Sequence, residues 1–378
     1  MHTNKICIFS FFSGAGFMDL GFEDAGFEVV YINEVHQPFL DAYNFSRGKM
    51  KRRPPKYAHF KGDIQDCLNG PESTTLRNHT QKERDEGHIV GFIGGPPCPD
   101  FSVGGKNRGQ HGENGKLTRT YVHLICKQKP DFFLFENVKG LWRTARHRQF
   151  YEDMKNELSE LGGYKLTEQL VNAIEFGAPQ DRDRIILFGV SEKLLKKQGL
   201  KIENFDWKAH KKYPRDVLAE DYWPDADKLS PERKKPSKVP AELTVQYWFD
   251  KNKVEQHPNA HHQFKPRAGL AKFKTILEGD DSKKSYKRLH RWRYSPTVAY
   301  GNNEVHIHPY LPRRISVAEA LSLQSLPPNF ELPCNMSLTN MFKTVGNGVP
   351  YRAALGIAMS VKDFFGGKMY DDNSEQSR

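Results

Sequence analysis

The sequence predicts an α/β fold with a mainly parallel sheet, joined to a second, smaller and irregular domain. Up to about Val190, short apolar runs alternate with longer amphipathic stretches, as in β-α-β units. Glycine-rich turns or polar residues follow several of these runs, and residues 191–300 are basic, rich in proline and without a strong period. With 378 residues and 37% hydrophobic content, the chain can bury one large core and a smaller one.

The strand candidates, in chain order, are "KICIFSFF", "EVVYINE", "HIVGFIGG", "DFFLFENV" and "RIILFGV". Apolar spacing predicts helices over Met18–Ala25, Thr118–Gln128 and Arg148–Leu161. In "SVAEALSLQSL", Ser316 is the expected N-cap of a further helix and Glu319 completes a capping box. The last predicted helix, "PYRAALGIAMSVKDFF", begins at Pro350.

Most of the positive charge lies in one segment. Residues 191–300 hold 25 Lys or Arg and 15 Asp or Glu, a net +10 of the +11 carried by the whole chain. A basic segment on a nearly neutral body is typical of a nucleic-acid-binding module. A solvated, Lys-rich surface explains the charge equally well, so both interpretations stay open.

Composition also excludes several classes of protein. We find neither an apolar run of membrane-spanning length nor the pattern of a signal peptide, and therefore expect a soluble, cytoplasmic protein. The five cysteines are odd in number and lack C-x-x-C pairing. This spacing argues against a disulfide framework and a zinc site, and we expect no metal.

The stretch "FFSGAGFMDLGFEDAGF" predicts a ligand-binding turn. A strand that runs into Gly14 and Gly16 and then a helix brings bare backbone to a helix N-terminus, where a nucleotide-like cofactor can bind. Glu34 after the next strand could accept hydrogen bonds from a ribose, and Asp63 could contact an adenine amino group. Each acid alone is more often a capping or loop carboxylate, whereas their joint placement favours a cofactor rim.

The strongest single motif is "GFIGGPPCPDFS", which holds Cys98 between prolines. Proline fixes φ and removes backbone donors, so the direction of the thiol is largely preset. A buried, inert cysteine is the common alternative, but the polar, Gly-rich continuation argues against burial. Glu136 and Asn137 end the next strand at the same sheet edge. A thiol and a carboxylate in one crevice indicate covalent catalysis assisted by proton transfer.

Two later motifs extend the predicted site. "APQDRDRIILFGV" places Arg182 and Arg184 before a strand, where they are either self-neutralising surface charge or cations that lower the pKa of a thiol. In "TVGNGVPYRAA", Asn347 and Gly348 could close the cofactor pocket.

Taken together, "FSGAG", "GGPPC", "ENV", "QDRDR", "RRISVAEALSLQSLP" and "GNGVP" resemble, in order, the motifs of the C5-cytosine DNA methyltransferases. The resemblance spans Phe12 to Pro350. It implies a Rossmann-like class I methyltransferase sheet with helices on both faces, plus a smaller irregular target-recognition domain. The expected organisation is a catalytic part over 1–190, target recognition over 191–300, and a return to the catalytic domain over 301–378.

The resemblance also implies roles for single residues. Cys98 corresponds to the nucleophile that adds to C6 of cytosine, Glu136 to the carboxylate on the N3 edge, and Arg184 to the arginine that holds O2. Arg182, in the same motif, is a further catalytic candidate. S-adenosylmethionine is the implied cofactor, lined by Phe12, Gly14, Ala15, Gly16, Glu34, Val35, Asp63, Ile64, Pro97, Leu117, Asn347 and Gly348. Ser102 resembles a phosphate contact. From their charge, we expect phosphate contacts at Lys283, Lys284, Lys287, Arg288, Arg291 and Arg293.

The function implied is sequence-specific methylation of C5 of a flipped-out cytosine in double-stranded DNA, as the modification enzyme of a restriction–modification system. We expect a monomer, associated with the nucleoid, with any cognate endonuclease acting separately. The alternatives are a tRNA cytosine-5 methyltransferase and a non-catalytic DNA-binding relative, with a nicotinamide-dependent dehydrogenase more remote. The chain departs from the family pattern at Pro99, Thr344 and Val35.

Overall fold

The computed structural model describes residues 5–57, 59–97, 113–143, 145–230, 232–266, 270–283, 285–298 and 306–366. The strands in this part of the chain are β1 (Ile6–Phe11), β2 (Glu28–Asn33), β3 (His59–Phe60), β4 (Ile89–Gly94), β5 (Phe132–Val138), β6 (Tyr164–Asn172), β7 (Gln180–Asp181), β8 (Asp183–Ser191), β9 (Lys287–Arg288), β10 (Ser295–Pro296) and β11 (His306–Ile307).

The helices alternate with the strands in the first half of the chain and form the last described part of it. They are α1 (Phe17–Asp24), α2 (Gln37–Lys49), α3 (Ile64–Asn69), α4 (Glu72–Asp85), α5 (Glu113–Gln128), α6 (Lys139–Arg143), α7 (Ala145–Glu160), α8 (Glu192–Gln198), α9 (Val245–Lys251), α10 (Leu270–Thr275), α11 (Val317–Leu323), α12 (Leu338–Asn347) and α13 (Tyr351–Phe364).

The central sheet has the strand order β3-β2-β1-β4-β5-β8-β6. Strands β1 to β5 are parallel, whereas β8 runs antiparallel to both β5 and β6. The predicted mainly parallel α/β sheet is therefore confirmed. The apolar runs of the sequence do not predict β6, because this edge strand alternates polar with apolar residues and most of its side chains stay partly exposed.

Helices cover both faces of this sheet. Strand β1 shows the alternation: Ile8 points into a core shared with α1 and α13, and Phe9 points into a second core shared with α5 and α7. A sheet that is buried on both faces needs apolar residues at every position, which explains the continuous apolar runs of the sequence.

Two helices from distant parts of the sequence pack together. Helix α13 lies directly on α1, and a Cβ added at Gly21 would meet the backbone nitrogen of Leu355 at 2.6 Å. Glycine at this position therefore lets the two helices touch. The predicted helix start holds, since Pro350 is the N-cap of α13. The predicted capping box is also present, with Ser316 and Glu319 bonded reciprocally.

The basic segment is mostly irregular, with short 3₁₀ turns, the helices α9 and α10 and two-residue strands. Helix α9 nevertheless adds Val245 and Phe249 to a core that includes Phe17. Strand β11 pairs with β9, so residues on either side of position 300 share hydrogen bonds. The domain limits at 190 and 300 stay a prediction. Among the described helices, none has the length and apolarity needed to cross a bilayer.

Candidate active site

The predicted site residues gather at one edge of the sheet. The parallel strands β1, β2, β4 and β5 all end there, and the antiparallel β8 begins there, because Val138 at the end of β5 pairs with Arg184. Ligands in open α/β sheets bind outside the carboxyl ends of the strands. This edge is therefore the candidate active site.

At its centre lies an ion pair between neighbouring strands. The Nε of Arg184 lies 2.6 Å from Oε1 of Glu136, and both side chains are largely shielded from solvent. The Arg184 Nη1 also donates to the backbone carbonyl of Asp183 at 2.7 Å. A charge-assisted hydrogen bond with little water around it is strong and directional, so the carboxylate of Glu136 is held in one orientation.

Gly95 brings the predicted nucleophile loop to this carboxylate. It follows β4, three residues before Cys98, and a Cβ added to it would lie 2.6 Å from Oε2 of Glu136. The chain that leads to Cys98 therefore starts in contact with the carboxylate. Cys98 and Ser102 themselves lie outside the described residues.

A second cluster surrounds Asp183, next to Arg184. The carboxylate accepts hydrogen bonds from Lys139 Nζ at 2.5 Å, from Asn172 Nδ2 at 3.0 Å, and from Arg215. Burial alone would raise the pKa of Asp183, but these hydrogen bonds and the charge of Arg215 hold it below its usual value. Because Arg215 belongs to the basic segment, this cluster ties that segment to the residue beside Arg184.

Arg182 has a different position. Its side chain is fully buried, and its Nη2 donates to the backbone carbonyl of Gly346 at 2.9 Å. Its backbone nitrogen donates to Asn172 Oδ1 at 3.2 Å. Arg182 thus connects the start of the antiparallel strand to the "GNGVP" stretch near the end of the chain. Its catalytic role stays a prediction.

The glycine-rich turn after β1 has positive φ values, the backbone conformation that glycine favours. Phe12, Gly14 and Gly16 have φ values of 54°, 56° and 76°. Gly16 is the N-cap of α1, and a Cβ there would lie 2.4 Å from the ring of Tyr43, so only glycine fits. A Cβ at Gly14 would meet no atom within 4 Å. Bare backbone at Gly14 therefore faces open space beside the sheet edge.

Glu34 supports this turn. Its Oε2 accepts a hydrogen bond from the Gly14 nitrogen at 3.0 Å and its Oε1 accepts one from the His36 nitrogen at 2.8 Å. Burial raises the pKa of Glu34, and the backbone hydrogen bonds lower it in part. A carboxylate has about four acceptor positions, so hydroxyl donors can still bind. The neighbouring Val35 is 62% exposed, which leaves an apolar surface at the same rim.

The remaining predicted cofactor residues have varied surroundings. Asp63 caps α3 by accepting from the Gln65 nitrogen at 2.8 Å, which is also the common structural role of such a carboxylate. Gly348 packs on Phe17, where an added Cβ would lie 2.1 Å from the ring. The others are Ala15 and Ile64, both buried, Pro97 and Leu117, both half-buried, and Asn347, exposed at the end of α12. Their contacts with a cofactor stay predictions.

In the basic segment, two of the predicted phosphate contacts do not fit. Arg288 is fully buried and donates to backbone carbonyls, among them those of His308 and Leu311 at 2.6 and 3.1 Å. Arg291 is buried against the carboxylate of Glu278, with Nε and Oε1 2.8 Å apart. Since both guanidinium groups hold the segment together from inside, these two predictions are not supported.

The other basic residues of the set are accessible to different degrees. Lys283 is exposed, Lys287 and Arg293 are half-buried, and Lys284 lies outside the described residues. Phosphate contacts at these four positions stay predictions.

Sequence reasoning missed the positioning residues of the site. The sequence indicates only a turn at Gly95 and only a surface charge at Asp183, because neither role is visible without the neighbouring strand. The double glycine before "PPC" is a usable signal, since glycine in or next to a strand often marks a close approach of another group to the backbone. No local pattern links Arg215 to Asp183, which lies 32 residues earlier.

Comparison with known proteins agrees with this geometry. The family model for C-5 cytosine-specific DNA methylase matches residues 6–363. The Type II methyltransferase M.NmeDI of Neisseria meningitidis serogroup C is 61% identical over 360 residues, which cover 95% of this chain and 84% of that protein. The Type II methyltransferase M.FnuDI of Fusobacterium nucleatum is 28% identical and is matched over 94% of both chains.

Solved structures share the fold. A DNA modification methyltransferase encoded within a prophage of E. coli superimposes with a TM-score of 0.60 at 24% identity, over 95% of this chain and 99% of that one. The Dnmt2 methyltransferase of S. pombe gives a TM-score of 0.56 at 12% identity, over 95% and 98% of the two chains. At these identities the likeness concerns the fold alone.

Proposed function

Because the chain belongs to the C-5 cytosine-specific DNA methylases, of the type found in restriction–modification systems, we propose that it modifies one cytosine within a specific DNA sequence through a covalent bond between Cys98 and C6. The observation that carries this proposal is the Glu136–Arg184 ion pair, which lies against Gly95 at the start of the Cys98 loop. A carboxylate oriented by a guanidinium suits a planar ring with adjacent donor and acceptor groups.

The residues at the rim fit S-adenosylmethionine. Bare backbone at Gly14 faces open space, Glu34 keeps acceptor capacity for hydroxyl groups, and the exposed Val35 offers an apolar surface to an adenine. Asp63 and Asn347 are exposed, and Gly348, next to Asn347, packs on Phe17 at the start of α1. When bound, S-adenosylmethionine supplies an electrophilic methyl group.

The proposed chemistry begins with the thiolate of Cys98. C5 of cytosine is a weak nucleophile, and addition of sulfur at C6 moves electron density to C5. After C5 has been substituted, its proton is lost to a base and the C6–sulfur bond breaks, which restores the aromatic ring and the free thiolate. A cysteine suits both steps, because a thiolate forms near neutral pH and also leaves readily.

Glu136 and Arg184 act on the ring during this sequence. The Glu136 carboxyl meets the N3 and exocyclic amino edge, where a hydrogen bond helps the ring to accept electron density from sulfur. The Arg184 guanidinium donates to O2 and stabilises the same charge. Their mutual hydrogen bond keeps both groups oriented before substrate arrives, so little reorganisation is needed in the transition state.

The target atoms lie inside the base stack, so the cytosine must leave the duplex, at a cost of a few kcal/mol. Exposed cations such as Lys283 contact phosphates, which positions the protein and makes binding weaken with salt. We propose that the enzyme acts as a monomer on double-stranded DNA, in the cytoplasm at the nucleoid, and that a cognate endonuclease works separately.

A transfer assay tests the proposal. The full chain is incubated with labelled S-adenosylmethionine and either a mixed-sequence duplex or tRNA, and the labelled base is identified. We expect label on C5 of cytosine in DNA. Label on tRNA alone would refute the DNA substrate. Bisulfite sequencing of DNA from expressing cells then identifies the recognised sequence.

The covalent step has its own test. A duplex with 5-fluorocytosine at the target should trap the wild-type enzyme, because fluorine cannot leave C5 as a proton does. Cys98→Ser should abolish trapping and turnover, whereas Cys334→Ser, at an exposed cysteine, should change neither. Trapping that survives Cys98→Ser would assign the nucleophile elsewhere.

A further inference from the structure

A second cluster of reactive side chains lies at the opposite edge of the sheet. Cys7 is near the start of β1, Glu83 is in the last turn of α4, and His88 directly precedes β4. Since Cys7 is four residues before the end of β1, about 13 Å of strand separate it from the candidate active site. None of these three residues has a part in the proposed methyl transfer.

Three different ligand atoms converge there. The Sγ of Cys7 lies 3.1 Å from Oε2 of Glu83 and 3.6 Å from Nδ1 of His88, and this Nδ1 lies 2.7 Å from the same Oε2. All three atoms are within 4.8 Å of one another. Cys7 and Glu83 are buried, whereas His88 is partly open to solvent.

The carboxylate of Glu83 divides its two oxygens between two sets of neighbours. Oε1 accepts hydrogen bonds from Lys56 Nζ, at 2.7 Å, and from the Tyr57 hydroxyl. Oε2 contacts the Cys7 thiol and the His88 imidazole, whereas Lys56 and Tyr57 bond to the other oxygen. Burial opposes ionisation, but the hydrogen bonds from Lys56, Tyr57 and His88 bring the pKa of Glu83 down to about 2. One oxygen is thus oriented by outer donors, as carboxylate ligands of metals commonly are.

The separations are close to those of a tetrahedral zinc site. Zn–S bonds of about 2.3 Å and Zn–N and Zn–O bonds near 2.1 Å give about 3.6 Å between sulfur and either lighter ligand, and about 3.4 Å between nitrogen and oxygen. The sulfur–nitrogen distance of 3.6 Å already agrees, and the sulfur–oxygen distance of 3.1 Å has to lengthen by about 0.5 Å. The imidazole and the carboxylate have to part by about 0.7 Å, which His88 can provide since its side chain is partly exposed.

We propose that Cys7, Glu83 and His88 bind one Zn²⁺ ion. A thiolate, a carboxylate and a neutral imidazole carry two negative charges, which match the charge of the ion, and this borderline-soft ligand set favours zinc over magnesium or calcium. On binding, the Cys7 S–H bond is replaced by an S–Zn bond and the proton passes to solvent. His88 binds through Nδ1 and keeps its proton on Nε2. A water molecule from the His88 side completes the tetrahedron.

The ion would join β1 to α4 and to the start of β4, three elements of the core that meet at this edge. Because Cys7 must lose its proton, zinc affinity decreases as pH falls. The cysteine spacing in the sequence predicts no zinc site, since the ligands are 76 and 81 residues from Cys7. Only the fold brings them together.

The test uses the untagged full chain, stripped with a chelator and titrated with Zn²⁺ and, separately, with Co²⁺ as a spectroscopic probe. We expect one ion per chain and a thiolate-to-cobalt charge-transfer band with tetrahedral ligand-field absorption. Cys7→Ser should remove the charge-transfer band, and His88→Gln, at a partly exposed position, should abolish stoichiometric binding. Cys334→Ser, at an exposed cysteine, is the matched control and should bind normally.

A further variant separates a metal site from a mere hydrogen-bond network around Glu83. Tyr57→Phe removes an outer donor to Oε1 and should weaken zinc binding by about tenfold or more. Methyl transfer by each variant checks that the fold is intact. Failure of the wild-type chain to bind zinc, or binding that is unchanged in both Cys7→Ser and His88→Gln, would overturn the proposal.

Discussion

Gly95→Ala should impair catalysis while leaving the fold intact. The added Cβ would lie 2.6 Å from Oε2 of Glu136, so the carboxylate must retreat by about 0.8 Å to reach the 3.4 Å of ordinary contact. A misplacement near 1 Å can lower a rate about 100-fold, equivalent to about 2.7 kcal/mol of activation free energy. We therefore expect kcat to fall by about two orders of magnitude.

Stability should change little, for two reasons. The atom that must move is the end of a side chain rather than backbone, and the φ of Gly95 is outside the left-handed range. Replacing glycine by alanine also restricts the unfolded chain, which stabilises by about 0.4–1 kcal/mol and offsets part of the strain. Gly48→Ala in α2 is the matched control, because a Cβ there meets no atom within 4 Å. It should keep full activity.

The assay combines single-turnover methyl transfer with thermal denaturation. If the alanine acts through Glu136, adding it to Glu136→Gln should cause little further loss of rate, because the group it displaces is already altered. Wild-type kcat in a folded Gly95→Ala protein would refute the reasoning. Fully additive losses in the double variant would show that the alanine acts by another route.

Three further predictions concern titration and salt. Burial raises the pKa of Asp19 to about 6, so protonation of this carboxylate favours the folded state. The free energy of unfolding should therefore rise as pH falls from about 6 to 4. Asp19→Asn should remove that rise in pH-dependent melting curves. Burial lowers the pKa of His308 to about 2, so as pH falls this histidine is protonated in the unfolded state before the folded state. The free energy of unfolding should therefore decrease as pH falls below about 6.5. His308→Gln should reduce this loss. Lys283→Ala should reduce the magnitude of the slope of log affinity for DNA against log salt by about one. Arg288→Ala should chiefly lower the melting temperature. Equal slopes for Lys283→Ala and wild type would argue against a phosphate contact at Lys283.

The sequence predicts the sheet and the site edge well, because the relevant signals are local. The run around Phe133 is continuously apolar since its strand is buried on both faces, and Gly16 is required by its own φ and by the Tyr43 ring. Glu136 and Arg184 follow from motifs at strand ends. That they pair could be expected only once β8 was known to run antiparallel beside β5.

Contacts between segments that are distant in the sequence could not be predicted. Arg288 and Lys283 look alike in a basic run, but one is fully buried by backbone carbonyls and the other is exposed. Burial of this kind depends on which chain folds over the residue, and no local pattern records it. The convergence of Cys7 with His88 has the same origin, since parallel neighbours β1 and β4 align residues that are far apart in sequence.

The close packing of α1 against α13 determines when the chain can fold during its synthesis. The side of α1 that carries Gly21 meets α13, so this contact forms only after residues near Leu355 have been made, and at about 5–20 residues per second this takes roughly 20 to 70 s. Until then part of the core around β1 remains uncovered and open to aggregation or chaperone binding. The enzyme therefore becomes active only after α13 of each molecule has been made. Shortening the chain before α13 should abolish soluble, active enzyme rather than reduce it in proportion.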